Sequence, residues 1–349
     1  METGIKTAEA RAVQTIPFGA KGNRMILAGD VGGTKSNLGL FDVRQGKLVR
    51  VAYKRYISHE YAGLHEVAQD FLRQTGAKIT AAAFGIAGPI VNNAVRATNL
   101  PWVVDGEEMA SFLGLTHVRL LNDLEATAYG IRVMEPADLE VIYPGLPSPQ
   151  ATQVVIAAGT GLGEGILFWN GKEHIPVATE GGHADFSPGS DQQADLWKFL
   201  KKRNEFVSSE IILSGRGFQN IHEFLSPYEK HPGFDPTTDP APEITRRALA
   251  GECPVCVATL NLWIEIYGSE AGNFALRALA RGGIYVAGGI AVKVLPKLKD
   301  GRFAAAARHK EKLEDFLSTI PITVVLNQDC PLMGAAFVAA RMSQTNAAV

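Results

Sequence analysis

The chain reads as an α/β protein of two domains with a cleft between them. Three observations predict this. Apolar strands alternate with runs of helical spacing along most of the sequence, the pattern of strand–helix folds. At 349 residues there is room for about two domains. One unusual segment also occurs twice: Ile26 to Phe41, ILAGDVGGTKSNLGLF, is echoed by Val154 to Trp169, VVIAAGTGLGEGILFW.

Each of these segments is an apolar strand, a glycine turn and a second apolar strand. The turns are Gly32-Gly33-Thr34 and Gly159-Thr160-Gly161. Close-set glycines let backbone N–H groups converge on an anion such as phosphate. Asp30 sits at a strand end, where a carboxylate suits Mg²⁺ and its water shell. An ordinary hairpin explains the first segment alone equally well. Its repetition favours two related halves facing one nucleotide. Neither segment fits GxxxxGK[ST], and neither is a GxGxxG opening a helix, so Walker and Rossmann sites are excluded.

In chain order, Leu48 to Ile57 alternates as a third strand. Tyr61, Leu64, Val67, Ala68, Phe71 and Leu72 then recur at helical spacing. Ile79 to Ile86 is a strand, and Val91 to Thr98 a further one. Asp105 caps a helix to Leu113, with Glu107 and Glu108 in its first turn. Val118 to Leu121 is a buried strand ending in Asn122-Asp123, before a helix from Leu124 to Val133. Four prolines between Glu135 and Gln150 mark a linker. The second half continues with a turn at Asn170-Gly171, a helix over Asp191 to Phe206 and a Pro-rich loop from Ser226 to Pro242. A long buried helix, Val255 to Leu279, leads to a strand, Gly282 to Ala287, and a helix, Ala291 to Leu298. Last come an amphipathic run, Phe303 to Leu317, a strand, Ile322 to Leu326, and a helix, Pro331 to Met342.

Four further groups carry candidate chemistry. Asp123 can take a proton from an acceptor hydroxyl, or it can cap the helix that follows. In Glu180-Gly181-Gly182-His183 a carboxylate and an imidazole can converge on sugar hydroxyls, or decorate a surface turn. Glu210 is a second sugar-directed carboxylate or a solvated helix-end acid. Gly288-Gly289, at a strand–helix junction, can let adenine or ribose lie against backbone, or simply start a helix.

Composition narrows the class. A net charge of −2 gives no basic excess for nucleic acid. Three cysteines are too few for a disulfide framework, and a reducing cytoplasm fits them best. Cys253-Pro-Val-Cys256 lacks the partners of a structural zinc site. No run reaches the ~18 unbroken apolar residues of a membrane helix. Residues 1–24 lack a signal-peptide core and read as a loose tail, too short for a DNA-binding domain.

The order GDVGGTK, LLNDLEA, AAGTGLG, EGGH, SSEIILSGRG, VAGGI closely resembles the bacterial ATP-dependent glucokinases of the hexokinase and actin-like ATPase superfamily. The resemblance covers about Met25 to Arg341. It implies two actin-like (ribonuclease H-like) domains: a small one over 25–134, completed by about 326–349, and a large one over 135–325. It further implies ATP:D-glucose 6-phosphotransfer with Mg²⁺ and a homodimeric state. By position, Gly29, Asp30, Val31, Gly32, Gly33 and Thr34 match the first phosphate segment, with Asp30 on the metal side, and Gly159, Thr160 and Gly161 match the second. Gly288 and Gly289 match the adenosine segment. Asn122 matches a sugar ligand, Asp123 the catalytic base, and Glu180, His183 and Glu210 glucose-hydroxyl ligands. The zinc-binding cysteine cluster of the related repressor-and-sugar-kinase branch is missing, which argues against that branch. Rival expectations are a hexokinase of other or broader specificity (fructose, mannose) and a non-catalytic sugar sensor.

Overall fold

The structure, a computed structural model, describes residues 25–226 and 239–345. The tail and most of the Pro-rich loop after Ser226 lie outside the described residues. Among the described residues, no single helix is long and apolar enough to cross a membrane. The chain divides into two compact units. One holds the described residues up to Leu139 together with those from Asp329 onward, and the other is Glu140–Gln328.

The first unit opens with an antiparallel meander of β1 (Met25–Val31), β2 (Lys35–Arg44) and β3 (Lys47–Ile57). Then follow α1 (Leu64–Thr75), β4 (Ile79–Ile86), β5 (Ala94–Arg96), β6 (Val103–Asp105), α2 (Gly106–Leu113), β7 (Val118–Asn122) and α3 (Asp123–Ile131). The sheet order is β3-β2-β1-β4-β7, with β1, β4 and β7 parallel. Both faces are covered, which is why β1 and β4 are mostly apolar. Leu27 and Val31 join a layer with Val67 and Phe71 of α1, whereas Ile26 and Ala28 face the opposite layer. The Asp105 carboxylate caps α2 by accepting from the Glu107 and Glu108 amides at 2.8 and 3.0 Å, as its position in the sequence predicts.

The second unit contains β8 (Leu139–Tyr143), β9 (Gln153–Ala158), β10 (Leu162–Trp169), β11 (His174–Thr179), α4 (Asp191–Lys201), α5 (Ser209–Ile212), α6 (Gly215–Leu225) and α7 (Ala241–Ala250). It continues with α8 (Pro254–Ala278), β12 (Gly283–Ala287), α9 (Gly289–Lys293), α10 (Leu295–Leu298), α11 (Arg302–Arg308), α12 (Glu314–Ser318) and β13 (Ile322–Val325). The final helix, α13 (Cys330–Thr345), belongs to the first unit. Helix α8 is largely apolar and largely buried. Its Trp263 stacks on Phe218 with ring centroids 4.7 Å apart.

The order β11-β10-β9-β12-β13 reproduces β3-β2-β1-β4-β7: two antiparallel pairings, then two parallel ones. The two halves are therefore related, as the repeated hairpin predicts.

Three elements depart from the sequence reading. Residues 135–150 are not a bare linker, because β8 joins the second sheet beside β13. Helix α4 stops at Lys201, five residues before Phe206, where Asn204 folds back to donate to the Leu200 carbonyl at 2.8 Å. The amphipathic run over Phe303 to Leu317 is two helices, split where Glu311 takes a φ of +46°. Its periodicity survives the break because Phe303, Ala307 and Leu317 enter one core.

Candidate active site

In the first unit the candidate residues gather at one sheet edge. Asp30 is the penultimate residue of β1 and Asn122 ends β7, with β4 between them and all three strands parallel. Parallel sheets place ligands at their carboxyl ends. The Gly32–Thr34 turn is tied down by Ser58, whose Oγ donates to the Gly32 carbonyl at 2.9 Å and whose amide donates to the Thr34 carbonyl at 3.0 Å. Asn37, paired with Asp30 across the hairpin, donates its Nδ2 to Asp30 Oδ2 at 3.0 Å. Burial pushes the Asp30 carboxyl above its ordinary range, while the Asn37 bond pulls it back toward the charged form.

Asn122 is buried and serves as the N-cap of α3. Its Oδ1 accepts from the Leu124 amide at 2.9 Å, and its Nδ2 donates to the Gly88 carbonyl at 3.1 Å. Asp123 is the first helical residue, and its Oδ1 also takes the Leu124 amide at 2.9 Å. The cap position thus belongs to Asn122. A carboxylate in the first turn is further favoured by the helix dipole.

In the second unit, Gly159–Gly161 closes the β9–β10 hairpin, with the Gly159 amide donating to the Gly161 carbonyl at 2.8 Å. Gly288, at φ +89°, follows β12, the parallel neighbour of β9. A Cβ there would lie 2.6 Å from the Ala158 carbonyl oxygen, so the second glycine hairpin and the Gly288-Gly289 junction adjoin. The start of α6 joins them, since the Gly215 amide donates to the Gly159 carbonyl at 2.9 Å.

Glu180 to His183 forms a 3₁₀ turn after β11, with Glu180 and His183 exposed. The Ser209 amide donates to the Ala184 carbonyl at 3.0 Å and draws α5 alongside the turn. His183 Nδ1 consequently stands 3.9 Å from Glu210 Oε1. The other Glu210 oxygen accepts from the Leu162 amide at 2.9 Å, at the foot of the glycine hairpin. A Cβ on Gly161 would fall 2.3 Å from that oxygen, so Glu210 occupies the space beside it. The glycines of the turn have the same explanation. A Cβ on Gly182 would meet the Leu162 carbonyl oxygen at 2.0 Å, and one on Gly181 would meet Glu164 Oε2 at 2.1 Å.

Sequence reasoning missed Asn37, Ser58 and Glu164. Only Glu164 left a signal, as one acid inside an otherwise apolar strand.

The family model described as Glucokinase matches residues 27–342. The chain belongs to the glucokinase family. It is 37% identical over 339 residues to a glucokinase of Nostoc punctiforme, covering 91% of this chain and 99% of that one. A Yersinia pestis glucokinase is 35% identical over 309 residues, covering 88% and 94%. Among solved structures, a glucokinase from an Antarctic psychrotroph aligns with a TM-score of 0.79 at 28% identity, over 90% of this chain and 98% of that one. A ROK family glucokinase from Streptomyces griseus, solved with glucose and AMPPNP, aligns at 0.62 and 19% identity over 90% and 99%, a likeness of fold. The glucokinase family and its actin-like fold are thus those that the motif order implied.

Proposed function

We propose that this member of the glucokinase family transfers the γ-phosphoryl group of ATP to the 6-hydroxyl of D-glucose. The bond from O6 to the γ-phosphorus forms, the bridge to the β-phosphate breaks, and ADP leaves. Asp123 accepts the O6 proton, and Asn122, Glu180, His183 and Glu210 hold the sugar hydroxyls. The two glycine hairpins and Gly288-Gly289 receive the nucleotide. Support comes chiefly from one observation: the Asp123 carboxylate stands at the C-terminal end of β7 beside a residue that already caps α3.

Among the described residues, no group of three or more His, Cys, Asp or Glu could hold a metal ion. A single carboxylate, Asp30, fits Mg²⁺ that arrives with ATP and keeps most of its water. Mg²⁺ there would neutralise charge on the phosphates. The three buried cysteines, none in a disulfide, accord with a reducing cytoplasm. A homodimer is the assembly we expect, to be checked by light scattering.

Asp123→Asn tests the reading. It keeps the shape and removes the base, so kcat should fall by ~10²–10⁴ while glucose affinity by equilibrium binding changes little. Near wild-type turnover would remove Asp123 from the chemistry. ADP release measured across glucose, fructose and mannose separates glucokinase from broader hexokinase, and its absence with all three would leave a sugar sensor.

A further inference from the structure

Behind the Glu180–His183 turn lies a carboxyl group that the reaction does not use. Glu164 on β10 is 1% exposed, and its Oε1 has no hydrogen-bond partner. Its Oε2 fills the place that a Cβ on Gly181 would take, so the turn rests directly on this carboxyl. The neighbouring strands pair Ile156 and Thr179 with it, neither of them titratable. The turn itself contributes Glu180 and His183.

From α8, three groups act on Glu164: Glu270, Arg277 and Tyr267. Tyr267 is committed elsewhere, donating to the Ile156 carbonyl and accepting from the Ala158 amide, each at 3.2 Å. Glu270 is itself buried on α8. It accepts from Arg277 at 2.9 Å and Asn273 at 3.1 Å, and its field also reaches Lys310. A buried carboxyl with a second carboxyl in its field favours the protonated form. The proton falls to Glu164, whose carboxyl is pushed up to about 8 by burial first and Glu270 second, against the pull of Arg277.

We propose that Glu164 is a positioning residue for the sugar-binding turn: as a neutral acid it seats Gly181–His183 on β10, and its ionisation releases them. A buried carboxylate without a donor must gain water or move. Either change displaces the turn that rests on it, and with it Glu180 and His183. Glucose binding should weaken under alkaline conditions while the chemistry at Asp123 continues. The proposal rests on the assignment of this turn to glucose.

Steady-state kinetics and hydrogen–deuterium exchange on the full chain test it. Glu164→Gln keeps the shape and is neutral at every pH, so at pH 7 its glucose KM should match wild type. Between pH 7 and 9 wild-type KM for glucose should rise about tenfold with little change in kcat, and the E164Q profile should stay flat. Glu164→Ala should raise KM about fivefold already at pH 7. Exchange at residues 180–184, compared with E164Q at each pH, should quicken in wild type above pH 8. An E164Q enzyme with the wild-type alkaline rise, or one as impaired as E164A at pH 7, overturns the proposal. Exchange is read without substrate. A turn that loosens on Glu164 ionisation while glucose KM stays constant would overturn the sugar assignment and leave the seat standing, whereas unchanged exchange overturns the seat.

Discussion

Asn37 donates to the Asp30 carboxylate at 3.0 Å across the first glycine hairpin, and Tyr53 and Arg55 hold Asn37 in turn, each at 2.9 Å from its Oδ1. Asp30 is the metal-side carboxylate of the proposed mechanism, and it must be charged to serve. Burial opposes that charge and Asn37 supports it. In Asn37→Leu the carboxyl should keep its proton to higher pH, so the acid limb of kcat/KM moves upward. Turnover at pH 7 in saturating Mg-ATP should drop about tenfold, the usual cost of a hydrogen bond to a charged group. A pH profile that superimposes on wild type would detach Asp30 from the metal.

Asn122 and Asp123 should separate in a melting experiment. Asn122 caps α3, so Asn122→Ala should cost about 1 kcal/mol of stability. Asp123→Asn should leave the melting temperature nearly unchanged while turnover collapses. Equal losses of stability in both variants would show that the acid is structural.

Gly161→Ala introduces a methyl group 2.3 Å from Glu210 Oε2. Gly161 does not have a positive φ, so the backbone tolerates alanine and the effect is steric. Glu210 must retreat from the Leu162 amide. Overpacking of this kind costs about 1–3 kcal/mol, which corresponds to roughly tenfold in binding. On the proposed roles of Glu210 toward the sugar and of Gly161 toward phosphate, KM should rise for both ATP and glucose. A change confined to ATP would show that the two segments are independent.

Stability should depend on pH through Glu164. An ordinary glutamate loses its proton near 4.5, and in the folded chain this one holds it to about 8. The folded state therefore binds the extra proton between those values, and wild-type stability declines as pH rises through that window. Above about 8 the loss is complete. Glu164→Gln has no proton to lose, so its melting temperature should overtake wild type as pH rises from 5 to 8. Parallel melting curves across this range would contradict the buried, neutral acid.

The parts legible in the sequence are those set by neighbours along the chain. The stripe of Leu64, Val67, Ala68 and Phe71 on α1, the Asp105 cap and the largely apolar α8 are each decided within a few turns. The hairpins were legible for the same reason. Strand β8 was hidden by flanking Pro136 and Pro144, and its partner β13 comes from far along the chain. Ser58 was hidden because it touches the first hairpin from beyond β3, and Asn37 because its contact with Asp30 depends on the register of the hairpin. Glu210 was legible as an acid but not as the residue that joins the Leu162 amide to His183, since that role depends on three segments meeting.

Helix α13 lays Leu332, Ala335, Ala336, Phe337, Ala339 and Ala340 on the sheet face formed by Ile26, Ala28, Ala81 and Ala83. Its Gly334 lies against α3 so closely that a Cβ would come within 1.8 Å of the Ala126 carbonyl oxygen. On the ribosome, β1 emerges about 300 residues before this helix. At ~5–20 residues per second the interval is about 15 to 60 seconds. For roughly the last two thirds of it, after β7 has been made, the sheet still lacks α13 on this apolar face. The order of synthesis thus makes the first sheet the last to be covered on this face.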